Sequence, residues 1–109
     1  MRTKVMSYLG FAAKAAKIVN GYNTCMFMMG KKKVRLVILA ADLAENSVKK
    51  MISLCRQYHV PYRIFGTMDE LSHMTGTAGK GIFAITDANF AEIIVKEIDD
   101  MQSSEKEVF

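Results

Sequence analysis

Residues 34–40 read Val34-Arg35-Leu36-Val37-Ile38-Leu39-Ala40, a nearly continuous β-branched and aliphatic run. It lacks the polar alternation of a half-exposed strand. The run fits a strand buried on both faces, in a sheet covered by helices above and below.

The flanking segments supply the covering layers. Upstream, residues 4–16 place Val5, Leu9, Ala12 and Ala16 at i, i+4, i+7 and i+11, the stripe of an amphipathic helix. The apolar pair Ile18-Val19 follows, then Asn20-Gly21, and residues 22–32 read as a second helix weakened near its end by Gly30. Downstream, Glu45–His59 sets Val48, Ile52, Cys55 and Tyr58 on one face. Pro61 stops that helix, and Tyr62–Phe65 supplies a short strand. Thr67 and Glu70 have the spacing of a capping box for a helix to about Met74. A glycine-rich loop leads to the strand Gly81–Thr86. Asp87 is placed to cap a last helix that packs Phe90, Ile93, Ile94 and Ile98.

Helices and strands thus alternate from α to α around four strands, which implies one α/β/α sandwich with a central four-stranded sheet. At 109 residues the chain is one domain, able to bury roughly 65% of its unfolded surface. We assign residues 1–98 to it and expect residues 99–109 to be a frayed acidic tail.

Charge is distributed unevenly. The 15 lysines and arginines exceed the 11 carboxylates by only +4. Yet residues 1–35 carry eight basic residues and no acidic one, whereas residues 91–109 sum to −4 and leave +8 on the rest. A basic body with a short acidic end points to a polyanionic partner, most simply nucleic acid.

Other classes find less support. No run of 18 apolar residues exists to form a membrane-spanning helix. Arg2 and Lys4 precede an apolar run, Val5–Ala13, of about the length of an export-signal core. The amphipathic stripe with Lys14 and Lys17 on the other face favours a helix of the mature fold, and a cytoplasmic location. Cys25 and Cys55 lack metal-ligand spacing and read as buried free thiols. His59 and His73 have no nucleophile or ligand partners nearby in sequence, and Asp42 and Glu45 read as favourable charges leading the next helix. No catalytic residue, metal, cofactor or small-molecule substrate is expected. The run Gly76-Thr77-Ala78-Gly79-Lys80-Gly81 lacks the spacing of a nucleoside-triphosphate loop and precedes a strand. Lys80 remains a cation on a flexible loop that can touch a nucleic-acid backbone.

The basic cluster is more informative. Lys14 and Lys17 flank the junction to Gly21-Tyr22-Asn23-Thr24, where free N–H groups and the positive dipole end of the second helix favour a phosphate. Gly21 allows close backbone approach, and Asn23 both donates and accepts toward a base edge. Lys31, Lys32, Lys33 and Arg35 extend the potential from the helix's far end; taken alone, Lys31–Lys33 would read as a solvated turn.

The segment Lys14-x-x-Lys17-Ile-Val-x-Gly21-x-Asn23, followed 15 residues after Gly21 by Leu36-Val-Ile-Leu-Ala-x-Asp42, resembles the L-seven-Ae/L-thirty-e ribosomal-protein superfamily. Val60-Pro61-Tyr62, Asp69-Glu70-Leu71 and Phe83-Ala84-Ile85-Thr86-Asp87 fall where its pattern expects them, and the likeness covers roughly residues 4–98. Within the superfamily it is most similar to small bacterial YlxQ-type members. The resemblance implies a three-layer α/β/α sandwich with a central four-stranded mixed sheet, and non-enzymatic binding of structured RNA, ribosomal or kink-turn. The family's reader is Gly-x-Asn-Glu-x-x-Lys at the start of the second helix, beside an apolar loop before the last strand. Gly21 and Asn23 match it; Thr24 stands for Glu and Phe27 for Lys, and the loop is the smaller, more polar Thr77-Ala78-Gly79-Lys80.

A threonine hydroxyl cannot take two guanine N–H donors as a carboxylate can. Phe27 removes a cation and offers a ring, either to stack on an unpaired base or to contact a protein within the cluster Met26-Phe27-Met28-Met29, of which helical spacing points Met28 and Met29, with Cys25, toward the core. The expected RNA surface is Lys14, Lys17, Gly21, Tyr22, Asn23, Thr24, Phe27, Lys31, Lys32 and Lys80, with a protein partner at Phe27 as the alternative.

Overall fold

A computed structural model describes the backbone of residues 3–107 and the side chains of residues 3–103. Nine elements alternate along the chain: α1 (Lys4–Lys14), β1 (Ile18–Asn20), α2 (Tyr22–Gly30), β2 (Leu36–Leu39), α3 (Glu45–Gln57), β3 (Tyr62–Ile64), α4 (Met68–Thr75), β4 (Ile82–Ile85) and α5 (Ala88–Glu107). The sheet order is β1-β4-β2-β3, with β2 and β3 parallel and the other pairs antiparallel. The fold is therefore the α/β/α sandwich around a four-stranded mixed sheet.

The buried central strands feed two cores by alternation. Leu36, Ile38 and Ala40 join Phe83 and Ile85 against α1, α4 and α5. Val37 and Leu39 join Ile82 and Ala84 against α2 and α3. All four residues of β2 are fully buried, each worth about 1.5–3 kcal/mol, so a one-residue slip in register would be heavily opposed.

The helix starts obey the caps read from sequence. Thr67 and Glu70 form the reciprocal capping box, and Asp87 accepts from the Phe90 N–H at 3.0 Å. Asp42 differs from expectation. Its carboxylate accepts from the Met68 N–H at 2.8 Å, so it serves the start of α4 rather than α3.

The helix ends differ more. The sequence pattern predicts that α1 and α2 extend to residues 16 and 32, but they end at Lys14 and Gly30. The cause is a shared closing motif. Lys17, Lys33 and Val60 donate to the carbonyls of Ala12, Met28 and Cys55, and Ala16, Lys32 and His59 donate to those of Ala13, Met29 and Arg56. These are Schellman closures, and their left-handed positions, usually glycine, hold Ala16, Lys32 and His59 at φ 57, 58 and 56°.

Residues 99–109 are expected to be a frayed acidic tail; among them, residues 99–107 are helical, because α5 continues to Glu107. Asp99, the first residue of the expected tail, accepts from Arg63 of β3 through both oxygens, at 2.7 and 3.0 Å. Ile93, expected in the core, is exposed, while Ile94 and Ile98 are fully buried.

Candidate nucleic-acid interface

The sheet has two ends, and the basic residues divide between them. Ile18 pairs with Ile85 and Asn20 with Phe83, so β1 runs from the end where β4 finishes to the end where it begins. Gly21 follows at that second end and donates to the Ile82 carbonyl at 2.9 Å. Its φ of 89° and ψ of 148° belong to a region that only glycine enters without strain. No side chain among the described residues caps the start of α2. The N–H groups of its first turn, at Tyr22, Asn23 and Thr24, carry the positive end of the helix dipole.

Lys80 completes this corner. Its Nζ lies 3.9 Å from where a β-carbon on Gly21 would sit. The loop holding it is fixed by Ser72, a polar side chain buried in α4. The Ser72 hydroxyl donates to the Lys80 carbonyl and accepts from the Lys80 N–H, both at 3.0 Å. Gly76 closes α4 at φ 74°, and Gly81 enters β4 so closely that a β-carbon would stand 2.9 Å from Leu43. An ammonium and a helix N-terminus thus converge on one point of solvent. The ion pairs among the described residues, Lys49–Glu45 and Arg63–Asp99, involve none of these groups. The corner is therefore an uncompensated positive site suited to an anion.

One face of α2 extends from it. Asn23, Thr24, Phe27 and Lys31 are exposed, whereas Cys25 and Met29 are buried and Met28 packs against the second core. The methionine run thus belongs largely to packing, with Met26 exposed beside Phe27. Phe27 is 61% exposed, and Lys31 Nζ stands 4.9 Å from its ring centroid. That cation–π contact, about 0.5–1 kcal/mol when exposed, holds a flat ring upright on the helix.

Other expected residues lie apart. Lys17 is at the opposite end of β1 from Gly21, its carbonyl accepting from Thr86 N–H at 2.9 Å, so Lys14 and Lys17 do not flank the Gly21 corner as expected. Lys14 ends α1, on the other face of the sheet from α2, where it lines a cleft of about 210 Å³ with His73 and Met74. Lys32 lies beyond the far end of α2. Three intervening strand residues separate the two groups, a distance that spacing along the chain conceals. Ser72 was missed altogether, since a serine in a short amphipathic helix carries no mark of the loop it will hold.

Chemistry elsewhere is muted. Cys25 and Cys55 are free and buried, and burial pushes their thiols up to about 12 and about 11. Among the described residues no three His, Cys, Asp or Glu side chains are grouped to hold a metal. No described helix is long and apolar enough to cross a membrane.

The sequence pattern of the Ribosomal protein L7Ae/L30e/S12e/Gadd45 family matches residues 3–95. The chain belongs to this ribosomal-protein family. Its relatives include the RNA-binding protein YlxQ of Bacillus subtilis (strain 168), 30% identical over 91 residues, covering 84% of this chain and 91% of that one. The YlxQ of Enterococcus faecium, also described as RNA-binding, is 31% identical over 91 residues, covering 84% and 87%. Among solved structures, a Bacillus halodurans protein of unknown function superposes with a TM-score of 0.87 at 28% identity, over 90% of this chain and 99% of that one. The Giardia lamblia 15.5kD RNA binding protein superposes at 0.76 over 92% of each chain; at 20% identity it bears on the fold alone. In this family member the Gly21 corner, α2 and the Lys80 loop all fall within the matched residues.

Proposed function

We propose that the chain binds structured RNA, ribosomal or kink-turn-like, in the cytoplasm and without catalysis, through the corner formed by Gly21, α2 and Lys80. The observation that carries this reading is the Lys80 ammonium standing over Gly21 at a helix start with no side-chain cap and no acidic neighbour in its first turn. Membership of a ribosomal-protein family and two relatives described as RNA-binding support it.

Each group has a role that follows from its chemistry. A phosphate is held by Lys80 and the N–H groups of Tyr22, Asn23 and Thr24. The Asn23 amide reads a base edge, and the Thr24 hydroxyl makes one short contact. Phe27, kept upright by Lys31, stacks on an unpaired base. Lys14, Lys17 and Lys32 act at longer range, raising the potential that draws RNA in.

The test is fluorescence anisotropy with a kink-turn hairpin and ribosomal RNA fragments over a range of salt. The logarithm of affinity should fall linearly with that of salt, and Lys80→Ala should reduce the slope by about one. Salt-independent binding, or no binding across the panel, would overturn the proposal. The exposure of Phe27 beside Met26 favours a second reading, a protein partner docked there. In that case Phe27→Lys weakens capture of the partner and leaves RNA affinity unchanged.

A further inference from the structure

At the opposite end of the sheet from Gly21, the ends of α2 and α3 and the starts of β2 and β3 enclose a cleft of about 520 Å³. Its walls include Lys32, Arg35, Gln57, Tyr58, His59 and Pro61, and among the described residues no carboxylate lines it. Of the three non-glycine residues at positive φ among the described residues, two, Lys32 and His59, stand on its rim. Glycine would close either helix with less steric conflict, so both positions carry a polar side chain at some conformational cost.

The electrostatics favour an anion. Two helix C-termini contribute roughly half a negative charge each. Their last carbonyls are engaged by the Schellman hydrogen bonds, and the full charges of Lys32 and Arg35 exceed the dipole contribution. The Tyr58 side chain spans the cleft toward α2, its hydroxyl 3.9 Å from the β-carbon position of Gly30. A ring and a proline beside two cations suit a nucleobase with its phosphate.

An exposed helix face links the cleft to the first site. The exposed stripe Asn23–Phe27–Lys31 leads from the Gly21 corner to Lys32 over a nine-residue helix, about 13 Å long. About four stacked nucleotides span that length. We propose that the cleft is a second RNA subsite, taking one unpaired nucleotide of a strand that leaves the structured element. Its phosphate meets Lys32 and Arg35, and its base packs against Tyr58 and Pro61. The inference rests on the RNA reading above.

The test compares a kink-turn hairpin with the same hairpin carrying a six-uridine single strand at either end, titrated against the wild-type chain and an Arg35→Gln variant. A thermal melt checks the fold. The wild type should bind one extended RNA about tenfold more tightly than the bare hairpin. The variant should lose most of that gain, with a salt slope on the extended RNA lower by about one, and hold the bare hairpin within about twofold. Equal wild-type affinity for bare and extended RNAs would overturn the subsite alone, as would a variant that weakens both equally. Failure of the wild type to bind any of them would overturn the RNA reading and the subsite with it.

Discussion

The Ser72 hydroxyl grips Lys80 by its backbone at both polar atoms, donating to its carbonyl and accepting from its N–H at 3.0 Å. One buried side chain therefore fixes where the loop cation stands relative to Gly21. Ser72→Ala leaves both backbone groups without their partner and should destabilise the fold by about 1–3 kcal/mol. RNA affinity should fall as well, because Lys80 loses its position. Lys80→Ala, altering an exposed side chain, should reduce affinity while leaving the melting temperature within about 2 °C. Thermal melts paired with RNA titrations of both variants check the distinction.

Gly21 has room for a β-carbon but not the dihedral freedom for one. The nearest atom to that position is the Lys80 ammonium at 3.9 Å, so no clash arises, yet φ is 89°. Gly21→Ala should cost about 1–3 kcal/mol through backbone strain alone, read from urea unfolding at an unchanged m-value. An alanine without measurable cost would mean that the turn can relax.

Thr24 and Phe27 lie on the exposed face of α2, where substitution leaves the core intact. Thr24→Glu with Phe27→Lys restores the charged reader of the family pattern and should raise kink-turn affinity about tenfold or more, ~1.4 kcal/mol. The melting temperature should hardly change. No gain in a kink-turn titration would mean that the Gly21 corner no longer presents the geometry those side chains need.

Much of the architecture was legible because it is local. The buried run at residues 34–40, the Thr67–Glu70 box and the Asp87 cap each depend on neighbours within a few residues. Long-range relations were not. Arg63 and Asp99 are 36 residues apart, and nothing in either neighbourhood announces that β3 will hold α5 there. Likewise Lys17 and Gly21 are four residues apart in sequence yet stand at opposite ends of a strand. The family likeness identified Gly21 and Asn23, but Ser72 and the Lys32–His59 cleft depend on packing between elements that only the fold brings together.

The Arg63–Asp99 pair gives the fold an acid-sensitive fastening. The hydrogen bond from Arg63 holds the Asp99 carboxyl below its ordinary value of 3.8. A carboxyl whose folded pKa is depressed contributes stability above its unfolded pKa and loses it as pH falls through the folded value. Both side chains are partly solvated, so the contribution is about 0.5–1 kcal/mol at neutral pH. Asp99→Asn should remove it and weaken the acid dependence below pH about 4, measured by urea unfolding at successive pH values.

Burial sets the opposite dependence for the thiols. Cys25 and Cys55 ionise near 9.0 when unfolded, but burial pushes them up to about 12 and about 11 in the fold, Cys55 adding to the shift at Cys25. Between those values the unfolded chain has released protons that the folded chain retains. Stability is therefore full below pH 9 and falls above it by about 1.4 kcal/mol per pH unit for each thiol, until its folded pKa is reached. Cys55→Ala should roughly halve that alkaline slope between pH 9 and 11, whatever cavity cost it adds at neutral pH. The same burial should limit iodoacetamide labelling at pH 8 to the rate at which the chain opens, so both thiols should label together on unfolding. Labelling of either thiol at the rate of a free cysteine would mean that the second core opens locally at α2 or α3.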